Sequence, residues 1–321
     1  MRIERVYAAS QEINDAEHKW WNTNAQLVSK VWEMNSIVSW SIRKRYLRKA
    51  RRFFWSKTKP ATILELGCGS GWVGQFLASP VLRIIGTDYS ESQIALSVSN
   101  AHRKGLNSYC RYFVANSSEW PKETRDVAGV LIHSFLHHLD KNEIDELFSK
   151  MQSTFAKGTK VWIYEPAFYT SRIANEENQD KVGVVLEKFA SAIVNILSRV
   201  YRKYNLIDMN AKKSFEELVV VASKNEWYLS PKEVPFIVED FTAKLNETFE
   251  VNTDYWGTIN IVGWVHETNL IKSGLLLGIF NFAFVHLLAY VDAKLSKRSR
   301  YNRRKLVAPN YAFHIWECEL R

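Results

Sequence analysis

The chain has 321 residues, 46% of them hydrophobic, and can bury a full core as one large domain or as a domain with sizeable insertions. This composition excludes a disordered chain. Cys68, Cys110 and Cys318 lie far apart in sequence, match no metal-ligand spacing and cannot all pair within one chain. The opening MRIERVYAASQEIND lacks the apolar core of a secretory signal. We therefore expect an ordered cytoplasmic protein without a bound metal.

The net charge of +9 is concentrated in two basic runs, RKRYLRKARR from Arg43 and KLSKRSRYNRRK from Lys294. Such runs attract nucleic acid, the anionic face of a membrane or a phosphate-bearing substrate. Solvated helix faces explain them equally well. The charge alone does not choose between these interpretations.

Residues 1–57 show two apolar stripes with the period of an α-helix. The first stripe is Trp21, Ala25, Val28 and Trp32, and the second is Ile42, Tyr46, Ala50 and Phe53. Each apolar stripe must pack against another part of the protein to be buried. We predict that residues 1–57 form a helical cap that acts as a lid over the substrate.

From Thr62 the pattern changes to short apolar runs separated by segments of helical character. The runs are ATILEL, LRIIGTD, YFVANS, DVAGVLIH and KVWIYEP. This alternation predicts an α/β fold, a mostly parallel sheet with helices on both faces. Ser90 with Gln93 and Asp140 with Glu143 have the spacing of helix N-caps, each directly after a predicted strand.

Beyond Glu165 the sequence predicts additions to this sheet. Residues 58–168 form the core and residues 169–250 a helical insertion, in which Ser230, Pro231 and Glu233 open a helix. Residues 251–321 supply two closing strands, WGTINIVGWV and NYAFHIWECEL, with an inserted apolar helix over 268–296.

Within that inserted helix, residues 273–291 contain no acid and no permanent cation. Their length is just sufficient to span a bilayer, but Asn281 and His286 oppose spanning, and crossing would separate the last strand from its sheet. A buried core helix and an interfacial helix remain as alternatives. In the interfacial case the basic run over 294–305 would contact anionic lipid head groups, giving a peripheral membrane association.

The segment ILELGCGSGWVG, residues 63–74, predicts a nucleoside site. Glycines at 67, 69 and 71 let a ligand approach the backbone after a strand, and Asp88 ends the next strand, where a carboxylate suits ribose hydroxyls. Gly69, Gly71 and Gly74 also satisfy the dinucleotide pattern G-x-G-x-x-G. Glu65 favours S-adenosylmethionine instead, because a carboxylate suits an ammonium and a sulfonium and ill suits a pyrophosphate.

The ordered set ELGCGSG, GTDYS, DVAGVLIHSFLHHL and IYEP resembles the class I S-adenosylmethionine-dependent methyltransferases, especially the ubiquinone and menaquinone biosynthesis group. The resemblance covers residues 61–168 and implies a Rossmann-like, seven-stranded, mostly parallel sheet. It also implies a cofactor site, with product S-adenosylhomocysteine, made of Glu65, Gly67, Cys68, Gly69, Gly71, Asp88, Tyr89, Asn116, Ser117 and His133.

Within this implied site, the methionine portion of the cofactor is surrounded by Glu65, Gly67, Gly69 and Gly71. Asp88 holds the ribose, and Tyr89 lies beside the adenine. Asn116 departs from the family, which usually has an acid after the third strand to accept from the adenine amino group. The amide oxygen of Asn116 can still accept that bond. We therefore expect binding to be weakened by this departure rather than abolished.

The loop after the fourth strand, IHSFLHHL, faces the methyl group in this family and contains three histidines. His133 and His137 are candidate bases, because the pKa of histidine lies near working pH, whereas His138 is a weaker candidate. Glu165 is a third catalytic candidate, with a role in organising the adjoining turn as the alternative. Methyl transfer needs mainly alignment, so a base is optional for an amine acceptor and useful for a hydroxyl.

Aromatic residues of the added segments are candidates for substrate binding, although most tryptophans serve packing. With His137 they form the predicted substrate set: Tyr7, Trp20, Trp21, Trp32 and Trp256.

The sequence thus predicts an enzyme that methylates a small, apolar acceptor, isoprenoid, lipid-like or aromatic, at oxygen, nitrogen or carbon. The alternatives are an RNA or protein methyltransferase, disfavoured because no N-P-P-Y type loop or RNA-binding appendage is present, and a non-catalytic cofactor-binding or membrane-associated partner protein. The sequence does not specify the acceptor or the oligomeric state.

Overall fold

A computed structural model describes residues 11–32, 37–55, 60–168, 230, 232, 234, 236–258 and 313–321. The helices are α1 (Gln11–Trp32), α2 (Ile37–Phe54), α3 (Trp72–Leu77), α4 (Glu91–Arg103), α5 (Lys141–Thr154) and α6 (Val238–Thr248), with 3₁₀ turns at Lys122–Thr124 and Leu136–His138. The strands are β1 (Ala61–Leu66), β2 (Leu82–Asp88), β3 (Cys110–Val114), β4 (Gly129–His133), β5 (Lys160–Phe168), β6 (Phe236–Ile237), β7 (Phe249–Thr258) and β8 (Phe313–Leu320).

The strands form one sheet in the order β3-β2-β1-β4-β5-β8-β7. Strands β1 to β5 are mutually parallel, and β8 runs antiparallel to both β5 and β7. The predicted Rossmann-like α/β fold is therefore confirmed. Among the described residues an eighth strand joins the expected seven, because β5 continues past Pro166, and Ala167 and Phe168 pair with β6.

The central strands are buried on both faces, as continuous apolar runs require. Successive side chains of β1 point to opposite faces, so Ile63 packs under α2 and α3 while Leu64 packs under α5 and α6. Each face has its own apolar cluster, and both helical layers position their loops at the carboxyl edge of the sheet.

Local signals at two helix starts behave as predicted. Asp140 and Glu143 form a reciprocal capping box, in which each side chain accepts from the other residue's backbone N–H, at 3.0 and 2.7 Å. Ser90 Oγ accepts from the backbone N–H of Gln93 at 3.2 Å and caps α4. The predicted stripes of α1 and α2 also bury Ala25, Val28, Tyr46 and Ala50.

The predicted helix start at Ser230 is wrong. Helix α6 begins at Val238 and β7 already begins at Phe249, within the segment assigned to the helical insertion. The Ser230 hydroxyl instead donates to Glu17 Oε1 at 2.8 Å and so contacts α1.

Several predicted features lie outside the described residues: most of the 169–250 insertion, the apolar helix over 268–296 and the basic run over 294–305. Within the described helices, none combines the length and apolarity that crossing a bilayer requires.

Candidate functional site

The candidate site lies where the strand order reverses, between β1 and β4. In open parallel sheets, ligands bind at the carboxyl ends of the strands at such a point. The loops after β1 and β4 touch here, because a Cβ atom on Gly67 would lie only 2.2 Å from Phe135 Cδ2. The glycine loop after β1 and the histidine-containing loop after β4 are therefore neighbours at this edge of the sheet.

The loop after β1 depends on glycine at three positions with positive φ, Gly67 (60°), Gly69 (51°) and Gly71 (76°). A Cβ atom on Gly71 would lie 2.6 Å from the Tyr112 hydroxyl oxygen, so that position is filled by protein. A Cβ atom on Gly69 would meet nothing closer than Gln93 Oε1 at 3.8 Å. The loop is thus packed tightly on both sides and leaves open space at Gly69, where a ligand can approach the backbone.

Asp88 joins this loop to the end of β2. Its Oδ2 accepts from the backbone N–H of Gly69 at 2.9 Å, and its Oδ1 accepts from the backbone N–H of Ser90 at 2.9 Å. Burial raises the pKa of Asp88, and these two bonds oppose that rise. Each carboxylate oxygen keeps a further lone pair, so the group can still accept from ligand hydroxyls.

Glu65 lies beneath the start of α3 and is only 1% exposed. Its Oε1 accepts from the backbone N–H of Gly74 at 3.1 Å, and its Oε2 has no hydrogen-bond partner among the described residues. Burial raises the pKa of Glu65 to about 8, with a further contribution from the charge of Asp88. The site therefore contains a buried carboxyl with one oxygen that no described residue satisfies.

Cys68 is buried inside the glycine loop, where its thiol donates to the carbonyl of Gly69 at 3.6 Å. Burial raises the pKa of this thiol well above its ordinary value. Its backbone N–H donates to the carbonyl of Thr87 at 2.9 Å. Cys68 thus helps to shape the loop from within.

Tyr89 follows Asp88 directly and lies against α1. Its ring is 5.0 Å from the ring of His18, and His18 Nε2 lies 3.3 Å from the Tyr89 carbonyl. The Tyr89 hydroxyl is buried and has no partner among the described residues. Helix α1 also reaches α4, because Asn22 Oδ1 accepts from Ser90 Oγ at 2.8 Å.

Asn116 lies exposed after β3, and Ser117 beside it is partly buried. The Asn116 amide donates from Nδ2 to Glu119 Oε2 at 3.2 Å. Glu119 therefore places a carboxylate three residues after Asn116, the position at which the family usually has an acid. This pairing leaves the amide oxygen of Asn116 available to accept from a ligand amine.

The loop after β4 is organised by Glu165, which is completely buried. Its Oε1 accepts from the backbone N–H groups of Phe135 and Leu136, both at 2.8 Å, and its Oε2 lies 2.6 Å from His137 Nδ1. Ser134 has a φ of 52°, a conformation that side-chain-bearing residues rarely adopt. Such backbone strain accumulates at functional sites.

His138, the neighbour of His137, contacts helix α1. Its Nδ1 lies 3.2 Å from Glu17 Oε1, which also accepts from Trp21 Nε1 at 2.7 Å and from Ser230 Oγ. Glu17 Oε2 accepts from the backbone N–H of Lys232 at 3.0 Å. We call this group the Glu17 clasp, because it joins α1, the loop after β4 and the segment 230–234.

His133 ends β4 and is partly buried among aromatic rings. It stacks on Tyr164 at 4.5 Å, and Trp72 meets it edge-on at 5.2 Å. Tyr46 of α2 lies with its hydroxyl 3.3 Å from His133 Nε2. The predicted base therefore faces the α2 side of the sheet, whereas His137 is 4% exposed and faces Glu165.

The predicted substrate residues lie in different environments. Trp20 is buried, and its indole N–H has no partner among the described residues, while Trp21 is partly buried beside His138 at 5.1 Å. The side chains of Trp32 and Trp256, and the whole of Tyr7, lie outside the described residues.

Sequence reasoning missed Glu17, Asn22, Tyr46 and Glu119 as site residues. Only Glu119 carried a local signal, an acid three residues after Asn116 in a turn. The others come from helices far away in sequence. In the described part of the chain, no group of three His, Cys, Asp or Glu side chains could hold a metal ion.

The sheet order, the glycine loop and Asp88 define a protein of the class I methyltransferase fold. Residues 63–158 match the family model described as a methyltransferase domain. The prediction of a class I methyltransferase is thereby confirmed for the fold and for this domain. The narrower relation to the ubiquinone and menaquinone group stays a prediction.

Individual relatives are distant. An uncharacterized RNA methyltransferase of Clostridium tetani (strain Massachusetts / E88) is 28% identical over 81 residues, which cover 25% of this chain and only 18% of that protein. The structure is also similar to that of the [4+2]-cyclase SpnF, with 12% identity, a TM-score of 0.53 and 99% of each chain covered.

A third similar structure is geranyl diphosphate C-methyltransferase from Streptomyces coelicolor A3(2), in complex with Mg²⁺, geranyl-S-thiolodiphosphate and S-adenosyl-L-homocysteine. Its identity is 10% and its TM-score 0.51, with 98% of this chain and 99% of that chain covered. At these identities both structures show the shared fold alone.

Proposed function

We propose that this protein transfers the methyl group of S-adenosylmethionine to a small, apolar acceptor. The observation that carries the proposal is the junction of Gly69 and Asp88, where an open backbone position is hydrogen-bonded to a carboxylate at 2.9 Å. Such a junction offers a close backbone approach and acceptors for hydroxyls at the same place.

The residues present fit this cofactor. Asp88 would hold the ribose, the Gly67–Gly71 loop the methionine portion, and Asn116 with Tyr89 the adenine. The unsatisfied oxygen of Glu65 favours a cationic ligand nearby, because a positive charge stabilises its ionised form. When bound, the cofactor supplies an activated methyl group on a sulfonium, so that the protein mainly has to align the acceptor.

Glu165 and His137 act on the loop rather than on the acceptor in this proposal. Both Glu165 oxygens are engaged with that loop, and the side chain is completely buried. His133 is then the remaining candidate base of the predicted set, because it is partly exposed at the end of β4.

The test of the cofactor proposal is calorimetric titration of the protein with S-adenosylhomocysteine, followed by transfer of a labelled methyl group to candidate acceptors. Micromolar binding and label transfer to small lipophilic compounds are the expected results. Binding without any transfer would favour a different reaction on this fold, as the cyclase name of one similar structure illustrates.

A second candidate is RNA methylation, which the short match to an RNA methyltransferase favours. Labelled methyl groups recovered in bulk RNA, and absent from lipophilic acceptors, would establish it. The proposed peripheral membrane contact through 273–291 and 294–305 rests on sequence alone.

The pairing of Asn116 and Glu119 gives a prediction for cofactor affinity. Replacing either residue by alanine should weaken S-adenosylhomocysteine binding about three- to tenfold, because each change removes or disorients one hydrogen-bond acceptor for the adenine amino group. Asp126→Ala, an exposed carboxylate in the turn before β4, serves as the control in calorimetry. Affinities within twofold of wild type for both variants would exclude this adenine subsite.

The Glu17 clasp gives a prediction for ligand release. Hydrogen bonding and charge from His138 keep the pKa of Glu17 below its ordinary value although burial opposes this, so the clasp holds an ionised carboxylate. Glu17→Gln should speed release of S-adenosylhomocysteine about tenfold or more, since charge-assisted hydrogen bonds are worth about 1.5–3 kcal/mol.

Stopped-flow fluorescence measures this release, with Trp20 and Trp21 on α1 as natural reporters. Glu12→Gln, an exposed change on the same helix, is the control and should leave the rate unchanged. If both variants release the ligand at the wild-type rate, α1 does not close over the site.

A further inference from the structure

Helix α2 carries strong positive charge that the helix itself does not balance. Its 18 residues include seven lysines or arginines and no aspartate or glutamate. Exposed helices often pair cations with acids three or four positions away, and α2 has no acid for such pairs. Arg48 and Arg52 are exposed, and within the described part of the chain neither guanidinium forms an ion pair.

Trp55, directly after α2, lies on the same side of the helix as these arginines. Its backbone N–H donates to the Arg52 carbonyl at 3.3 Å, so the chain still follows a helical turn there. Side chains seven positions apart differ by only about 20° around a helix, so Trp55 lies in line with Arg48. Trp55 is 49% exposed, although tryptophan is highly buried on average. A half-exposed indole is therefore held beside two cations.

The turn before β2 adds apolar surface at the same edge of the sheet. Val81 is 38% exposed, and its carbonyl accepts from the backbone N–H of Ala61 at 3.0 Å, which places it beside the exposed Pro60. Arg51 Nη2 donates to the Leu77 carbonyl at 3.1 Å and so joins the last turn of α2 to the end of α3, four residues before Val81. The exposed apolar and cationic residues thus share one corner of the protein.

We call this corner the α2 patch, and it consists of Arg48, Arg52, Trp55, Pro60 and Val81. Its support is firmly attached to the sheet. Lys160 Nζ at the start of β5 donates to the Phe53 carbonyl at 2.7 Å. Phe54 is 2% exposed and covers the start of β4, where a Cβ atom on Gly129 would lie 2.6 Å from its ring. The patch therefore lies at the amino edge of the sheet, opposite the candidate site.

We propose that the α2 patch docks the protein on an anionic lipid surface. Tryptophan prefers the boundary between lipid and water, and arginines close to that boundary are attracted to anionic head groups. An exposed apolar surface flanked by cations combines these two contributions at one place. This surface is separate from residues 273–291 and 294–305, and its function does not depend on the proposed methyl transfer.

Single-stranded RNA is the other polyanion that exposed tryptophan and arginine can bind. A lipid surface is favoured because Val81 and Pro60 offer neither an aromatic face for a base nor a hydrogen-bond donor for a phosphate. Trp55 is also nine residues, about 14 Å along the helix, from Tyr46, which lies beside His133 near the candidate site. A membrane only has to locate the protein, whereas an RNA acceptor has to reach that site.

The first test is co-sedimentation of the full chain with phosphatidylcholine vesicles, either pure or containing about 30% phosphatidylglycerol as the anionic lipid. At about 0.1 M salt we expect about tenfold or more stronger binding to the anionic vesicles, with most of it lost at about 0.5 M salt because salt screens the charges. The double variant Arg48→Gln with Arg52→Gln, and separately Trp55→Ser, should each weaken binding about fivefold or more.

Matched variants control for charge, apolarity and folding. Arg125→Gln with Lys150→Gln removes the same charge from exposed positions outside the patch, and Val98→Ser changes an exposed apolar residue of α4. Both should bind vesicles as the wild type does. Arg48→Lys with Arg52→Lys keeps the charge and should also keep the binding. The thermal unfolding midpoint of each variant shows whether it is folded.

The second test uses anionic vesicles with brominated acyl chains, which quench indoles that reach the lipid. We expect stronger quenching of the wild type than of Trp55→Phe. Equal quenching of these two proteins, or equal vesicle binding by patch and control variants, would place any lipid contact elsewhere in the chain and overturn the proposal. Absence of binding to anionic vesicles would also overturn it. Binding of labelled poly(U) that only the patch variants lose, without vesicle binding, would make the patch a nucleic-acid surface instead.

Discussion

Replacing Asp88 by alanine is expected to weaken S-adenosylhomocysteine binding by about tenfold or more. The carboxylate offers acceptors for ribose hydroxyls, and a hydrogen bond to a charged group is worth about 1.5–3 kcal/mol. The same carboxylate fixes the backbone N–H groups of Gly69 and Ser90, so its loss also releases the loop after β1. Both effects weaken the binding of S-adenosylhomocysteine.

Calorimetric titration of two Asp88 variants compares the loss of the ribose acceptors with the release of the loop after β1. Asp88→Asn keeps one oxygen acceptor and should lose less affinity than Asp88→Ala. Asp126→Ala, an exposed carboxylate in the turn before β4, is the matched control and should bind as the wild type does. Wild-type affinity in Asp88→Ala would remove the ribose assignment and with it the proposed cofactor site.

Replacing Glu65 by glutamine should stabilise the ligand-free protein at alkaline pH by about 2–5 kcal/mol. The folded-state pKa of Glu65 is about 8, against an ordinary value of 4.5. A carboxyl whose pKa is raised on folding contributes stability that is fully present below about pH 4.5 and is lost as pH rises through about 8. Glutamine resembles the protonated form at every pH and so avoids this loss.

The measurement is the free energy of unfolding in denaturant between pH 5 and 9, at steps of about one unit. The wild-type curve should fall over this range relative to that of Glu65→Gln, and Glu250→Gln, an exposed change on β7, should follow the wild type. Parallel curves for wild type and Glu65→Gln would show that the buried carboxyl does not titrate as expected. If Glu65→Gln stabilises the protein, the wild type keeps a carboxylate that lowers its own stability. A role of Glu65 in ligand binding would explain why that carboxylate is kept.

Much of the sheet could be predicted because its strands are encoded locally. The run ATILEL coincides with β1, since a strand buried on both faces is apolar throughout and ends abruptly at its glycines. The N-caps at Ser90 and Asp140 could also be predicted, because each is formed with a residue only three positions later in the sequence. The placement of the glycine loop beside Asp88 followed from the rule that the ends of parallel strands meet at one edge.

Contacts between distant segments could not be predicted from such patterns. Tyr46 and His133 are 87 positions apart, and Glu17 and Ser230 are 213 apart. Periodicity gave the apolar face of α1 and α2, but it does not say which loop each polar side chain reaches. Local spacing likewise did not reveal that Ser230 contacts Glu17, or that the helix in this region begins only at Val238.

The pairing of β6 with the last two residues of β5 has a consequence for how such proteins diversify. Ala167 and Phe168 lie beside Phe236 and Ile237, so positions 168 and 236 are held close together at one corner of the sheet. The closure entropy of a connection between two fixed neighbouring points grows only slowly with its length. A segment that joins Phe168 to Phe236 can therefore change in length at little cost in closure entropy, while the half of the protein that would hold the methyl donor keeps its geometry.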